Sequence, residues 1–123
     1  MATKLKNILI IEDEKPMARA LELKLTHEGF EAKIVFNGES ALELLEKEKF
    51  DLIVCDLVMP KVDGFKVLEA LKEKKITTPV MVLTNLSQEE DEKRAKSLGA
   101  KEFFIKSNTP IANIVERITQ LLK

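Results

Sequence analysis

Asp56 closes the run Asp51-Leu-Ile-Val-Cys-Asp56 and is followed by an apolar tripeptide and Pro60. Four apolar residues, β-branched Ile53 and Val54 among them, read as a buried strand that ends in a carboxylate, with the proline stopping further pairing. Other short apolar runs end in the same style. Asn7-Ile-Leu-Ile-Ile11 leads into Glu12-Asp13-Glu14, Val80-Met-Val-Leu83 into Thr84, and Glu102-Phe-Phe-Ile105 into Lys106. As strands of one parallel sheet they would bring Glu12, Asp13, Asp56, Thr84 and Lys106 to its carboxyl edge, where ligands of open α/β sheets collect. Three carboxylates so close repel one another unless a divalent cation is bound. A small set of oxygen ligands favours Mg²⁺, which keeps several waters, over Zn²⁺, which prefers His and Cys. Lysine and a hydroxyl opposite a metal-bound carboxylate neutralise a tetrahedral oxyanion, and a phosphoryl group fits that description. Asp56 is then the nucleophile, forming an aspartyl phosphate.

The elements that must position these residues are legible from periodicity. After the first strand, Met17, Leu21 and Leu25 recur at helical spacing, with Asp13 placed to cap, Pro16 in the first turn, and His27 and Gly29 at the end. Glu31 to Phe36 alternates as a strand, Asn37-Gly38 is a turn signal, and Ala41, Leu42, Leu44 and Leu45 mark a short amphipathic helix. Beyond the third strand, Asp63 is a cap and turn residue before a helix carrying Phe65, Val67, Leu68 and Leu71. The helix from Glu89 to Leu98 is charged and offers a thin apolar face, Ala95 and Leu98, with Leu86 just before it. Pro110 opens the last helix, which carries Ile111, Ile114, Val115, Ile118, Leu121 and Leu122. Five strands alternating with five helices predict a parallel sheet covered on both faces. Periodicity leaves the strand order open, with the doubly wound order 2-1-3-4-5 among the candidates.

Composition narrows the class. The chain has 123 residues, 45% of them hydrophobic, enough for one core and one domain over residues 1–123. Twenty basic and 21 acidic residues give a formal net charge of -1, so no global field favours nucleic acid or an anionic membrane. A single cysteine excludes an internal disulfide framework, and no apolar run has the length of a membrane span or a signal sequence. These features fit a cytoplasmic protein.

Taken in order, Ile8-Leu-Ile-Ile-Glu-Asp-Glu14, Asp56-Leu-Val-Met-Pro-Lys-Val-Asp-Gly64, Leu83-Thr84, Ala95 to Ala100 and Phe103-Phe-Ile-Lys106 resemble the receiver domains of two-component response regulators, in their single-domain, chemotaxis-regulator-like form. The resemblance covers essentially the whole chain. It implies a flavodoxin-like fold of order 2-1-3-4-5, with Mg²⁺ held by Glu12, Asp13, Asp56 and the Val58 carbonyl. Phosphotransfer would run from a histidine kinase or phosphotransfer protein to Asp56, with Thr84 and Lys106 binding the phosphoryl group. Thr84 and Phe103 would form the switch, Phe103 turning inward as the hydroxyl moves, to expose a helix-four, strand-five, helix-five surface to a downstream protein target. Such a domain is a stoichiometric phosphoacceptor without turnover of an external substrate, a monomer or weak phosphorylation-dependent dimer.

Some residues depart from the family pattern. Lys106-Ser107 stands where the family has Lys-Pro with a cis bond, and a cis bond before a non-proline costs about 2.5 to 4 kcal/mol, so either the bond is trans with a different loop or strain is held there. Val58 and Leu86 are apolar where polar groups often influence a hydrolytic water, and Asn85 is larger than the common alanine. Together they predict slow phosphoryl hydrolysis. A second reading is a degenerate receiver that serves only as an interaction module. Enzyme readings on the same fold fare worse: Glu12-Asp13-Glu14 would repel a flavin phosphate, and a haloacid-dehalogenase-type phosphatase would want an acid where Val58 stands. Cys55 and the methionines Met17 and Met59 read as packing residues, and His27 as a helix-end residue.

Overall fold

The computed structural model describes residues 5–123. Strands β1 (Asn7–Ile11), β2 (Glu31–Val35), β3 (Leu52–Cys55), β4 (Val80–Thr84) and β5 (Glu102–Ile105) alternate with helices α1 (Lys15–His27), α2 (Gly38–Lys47), α3 (Gly64–Glu73), α4 (Glu89–Ser97) and α5 (Ile111–Leu122). A 3-10 turn, Lys106–Asn108, joins β5 to α5. All strand pairs are parallel and the order is β2-β1-β3-β4-β5, the doubly wound arrangement.

Burial explains the order. β1, β3 and β4 are the unbroken apolar runs, and they fill the three interior positions, where both faces of a strand need cover. β2 and β5 are only partly buried and take the edges. Alternation along the strands feeds two separate cores. Ile8, Ile10, Leu52, Val54, Met81 and Leu83 face one side, with Leu21, Leu25, Ile114 and Ile118 of α1 and α5. Leu9, Ile11, Ile53, Cys55, Val80 and Val82 face the other, with α2, α3 and Ala95 of α4. Cys55 is therefore a core residue, as its position before Asp56 requires.

Helix starts follow their caps, and two differ from expectation. Asp63 caps α3, its Oδ1 accepting from the Lys66 amide at 2.9 Å. Asn37 is also a cap, accepting from the Ser40 amide at 2.8 Å, so Asn37-Gly38 opens a helix where a turn was expected. Asp13 caps nothing. The cap position of α1 is Glu14, whose own amide donates to Glu12 Oε2 at 3.0 Å; this moves the helix start past Asp13 and leaves that carboxylate free.

Helix α4 is the loosest member of the outer layer. Ala95 is its only buried residue, and Leu86 and Leu98 add partial cover. Polar bridges to α3 supplement that thin contact: the Arg94 guanidinium lies 4.1 Å from the Phe65 ring centre and Lys72 Nζ reaches the Ser97 carbonyl at 3.5 Å. The acids Glu89, Glu90, Asp91 and Glu92 crowd its first turn, where the helix dipole favours them.

Gly64 fixes the segment after β3. Its amide donates to the Leu57 carbonyl at 3.0 Å, and a Cβ added there would collide with the Asp56 carbonyl oxygen and lie 2.7 Å from Leu57 Cα. Only a residue without a side chain lets α3 begin against the backbone of Asp56. Gly64→Ala is expected to cost roughly 1–3 kcal/mol by overpacking, read from urea denaturation. A variant as stable as the parent would show that the β3–α3 segment yields freely.

Candidate functional site

Strand register brings the chemistry together. Ile11, Cys55, Val82 and Phe103 lie level across β1, β3, β4 and β5, so Glu12 and Asp56 leave the sheet side by side. The Asp56 amide, donating to the Ile11 carbonyl at 3.0 Å, ties those two strand ends. Thr84 ends β4 and Lys106 starts the 3-10 turn immediately after β5.

Lys106 occupies the centre. Its Nζ lies 2.7 Å from Glu12 Oε1, 3.0 Å from Asp56 Oδ2 and 3.2 Å from Glu14 Oε1. The side chains of Lys106, Glu12 and Asp56 are 7%, 3% and 5% exposed, so this is a buried cluster with one solvent-facing partner, Glu14, at 55%. For Lys106 and Glu12, desolvation works against the charged form, and hydrogen bonds to that form oppose it. Burial pulls the Lys106 pKa down, yet the contacts with Glu12 and Asp56 outweigh that and hold the ammonium above its ordinary range. Burial pushes Glu12 up to about 7, against the lowering by Lys106 and the Glu14 amide. Burial, followed by the nearby Asp56 charge, raises the Cys55 thiol, so it is an inert packing group.

Glu12, Asp13 and Asp56 each offer a carboxylate oxygen, and these oxygens lie within 4.8 Å of one another. Three hard anionic ligands facing a single buried ammonium carry an excess of negative charge that Mg²⁺ fits. Beside them is a cleft of about 240 Å³ walled by Asp13, Glu14, Asp56, Val58, Asn85, Leu86 and Lys106.

The residues singled out by sequence divide as follows. Asp13, Asp56 and Lys106 line the cleft, and Glu12 lies beneath it with 2% exposure. Val58 donates its amide to Asp56 Oδ1 at 3.3 Å and holds its side chain at the rim, 56% exposed. Thr84 is fully buried, and its Oγ1 accepts from the Leu86 amide at 3.3 Å, which leaves the hydroxyl proton available. Phe103 is half-buried and packs toward the α2, α3 and α4 layer. His27 ends α1, at the opposite end from Glu14 and the acidic edge. No cis peptide bond occurs among the described residues, so Lys106-Ser107 is trans and the chain leaves β5 through the 3-10 turn. Glu14 was not expected to take part. It was visible as the third acid of its run, but only the packing shows that it turns back onto Lys106.

Removing the central cation isolates its contribution. Lys106→Met would leave Glu12 and Asp56 buried without a counter-charge, at an expected cost of about 3 kcal/mol in chelator, measured by urea unfolding. A loss under about 0.5 kcal/mol would place the ion pairs among ordinary surface contacts.

Comparison with known proteins agrees with this geometry. The family model described as the response regulator receiver domain matches residues 8–119. Among curated relatives, the alkaline phosphatase synthesis transcriptional regulatory protein PhoP of Bacillus subtilis is 35% identical over 105 residues, 85% of this chain and 44% of that protein. The transcriptional regulatory protein PcoR of Escherichia coli is 34% identical, over 97% of this chain and 52% of its own length. The chain thus spans about half the length of the curated relatives it matches. Among solved structures, the Francisella response regulator 1452 receiver domain superposes with a TM-score of 0.88 at 28% identity, covering 94% of this chain and 95% of that one. The response regulator TrrA of Thermotoga maritima, in complex with Mg²⁺ and BeF, gives 0.84 at 29% identity, covering 96% and 100%. Because the matched stretch runs from the first strand into the last helix, so that the acidic edge of the sheet falls within it, the chain belongs to the family of response regulator receiver domains of two-component systems.

Proposed function

We propose that this chain accepts a phosphoryl group on Asp56 from a histidine kinase or phosphotransfer protein, and that the modification changes which protein it binds. The observation that carries the reading is Lys106 Nζ at 3.0 Å from Asp56 Oδ2 inside a three-carboxylate cluster. A buried carboxylate beside a fixed cation and a cleft has the parts of a phosphoryl acceptor.

Each side chain has a distinct task. Asp56 attacks phosphorus through one carboxylate oxygen, and the donor's leaving group departs with the electron pair of the bond that breaks. Glu12, Asp13, Asp56 and the Val58 carbonyl hold Mg²⁺, which when bound supplies positive charge against the phosphoryl oxygens. Lys106 stays beside Asp56 and pairs with a second oxygen, while Thr84 donates its free proton to a third. Moving the Thr84 hydroxyl loosens its contact with the Leu86 amide, just before the thinly anchored α4, and Phe103 fills the space behind it. The surface of α4, β5 and α5 then presents a different face to a downstream protein. Residues 1–123 act as a single receiver unit, monomeric or weakly dimeric when phosphorylated, working stoichiometrically.

Hydrolysis is expected to be slow. Val58 at the rim and Leu86 in the wall offer no polar group to orient a water at the phosphoryl group, and Asn85 narrows the approach.

Intact-protein mass after incubation with a small phosphodonor tests the reading. One added phosphoryl group is expected, dependent on Mg²⁺, absent in Asp56→Asn, and persisting for minutes or longer once donor is removed. No adduct together with no Mg²⁺ binding would favour the interaction-module reading, and decay within seconds would contradict the proposed role of the apolar rim.

A further inference from the structure

Glu14 is a carboxylate that the phosphoacceptor reading does not use. Its backbone is fixed on both sides, the amide donating to Glu12 Oε2 at 3.0 Å and the carbonyl accepting from Ala18 at 3.0 Å as α1 begins. From that backbone the side chain reaches the cleft wall, where Oε1 lies 3.2 Å from Lys106 Nζ. Glu14 is thus a third carboxylate on the ammonium, and unlike Glu12 and Asp56 it is over half exposed. It stands outside the three-carboxylate cluster but within the cleft wall.

Charge arithmetic gives this position a consequence. With Glu12 ionised, as a metal ligand must be, Glu12, Asp13, Glu14 and Asp56 set four negative charges against the single ammonium of Lys106. A divalent cation on the clustered carboxylates leaves the cleft one unit negative with Glu14 and neutral without it. An incoming donor meets that residual charge at the mouth, where solvent screens it only partly.

We propose that Glu14 is a specificity-determining positioning residue: by holding Lys106 and keeping the cleft mouth negative, it selects against small, highly charged free phosphodonors. The inference rests on the phosphoacceptor reading and deepens it. A protein donor can offset the repulsion with its own surface, and a free dianion cannot. With an acyl phosphate, an Asp56 oxygen bonds to phosphorus, the bond from phosphorus to the acyl oxygen breaks, and the carboxylate leaves with the electron pair. With phosphoramidate, the phosphorus–nitrogen bond breaks and the nitrogen, already protonated, leaves as ammonia.

The two donors provide the test, because near neutral pH acetyl phosphate is a dianion and phosphoramidate a monoanion. Second-order rate constants for Asp56 modification would be measured by intact mass for the parent, Glu14→Gln and Glu14→Asp, at saturating Mg²⁺ and matched ionic strength. Removing one unit charge at the mouth should speed the dianion roughly three- to tenfold and the monoanion by about the square root of that factor. Glu14→Asp should keep the parent's ratio between donors. Mg²⁺ titration without donor gives a readout independent of turnover, and the Glu14→Gln affinity should stay within about threefold of the parent, since the long-range charge alone is removed.

Equal acceleration of both donors by Glu14→Gln would overturn the selection, since positioning of Lys106 alone does not distinguish donor charge. A collapse of Mg²⁺ affinity in that variant would overturn it too, by making Glu14 a metal ligand. Absence of any adduct with either donor in every variant would overturn the phosphoacceptor reading itself, and this inference with it.

Discussion

One ammonium among buried carboxylates governs the carboxyl edge of this sheet. Lys106 lies within 3.0 Å of both Glu12 and Asp56, with all three side chains almost excluded from water. Such an arrangement is poor evidence of net stabilisation, since desolvation offsets most of the attraction. Its effect is positional. The ammonium fixes where Asp56 points, and it links the side chains that leave the ends of β1, β3 and β5. Asp13 brings negative charge that one lysine does not balance, and the site is therefore built for a further cation.

The rest of the fold follows from delivering those three side chains. Parallel strands finish at one edge, so a short apolar run followed by a polar residue is enough to place chemistry there. Gly64 then lets α3 start against Asp56 without a collision, and the Asp63 cap sets where that helix begins. On the far side of the cleft, α4 has little apolar contact with the body, the property that the proposed switch requires of it.

Much of this was legible in the sequence because it depends on local pattern. β1, β3 and β4 read as strands because an interior parallel strand must be apolar on both faces, and Ile8 to Ile11, Leu52 to Cys55 and Val80 to Leu83 are. That Glu12, Asp56 and Lys106 meet at one edge followed once the runs were placed in one sheet, whereas the direct contact of Lys106 with Glu12 did not. What escaped depended on competition between neighbours. Asp13 is a good cap by type, yet Glu12 Oε2 took the Glu14 amide and shifted the helix start. Asn37 has the same type of ambiguity, since Asn-Gly serves a turn and a cap equally, and the amide of Ser40 decided it. Glu14 carried no local signal of its role because its partner lies 92 residues away. Likewise nothing local determined the Lys106-Ser107 bond, which is trans and continues into the 3-10 turn.

Calorimetric titration with Mg²⁺ tests most directly whether Glu12, Asp13 and Asp56 form one divalent site. The expected result is one ion per chain, with affinity reduced by about tenfold or more in Asp13→Asn and in Asp56→Asn. Asp63→Asn, at a residue that caps α3 and belongs neither to the cluster nor to the cleft wall, should bind as the parent does. Mg²⁺ binding that ignores Asp13 and Asp56, or no binding at all, would contradict the assignment of the acidic edge as a metal and phosphoryl site.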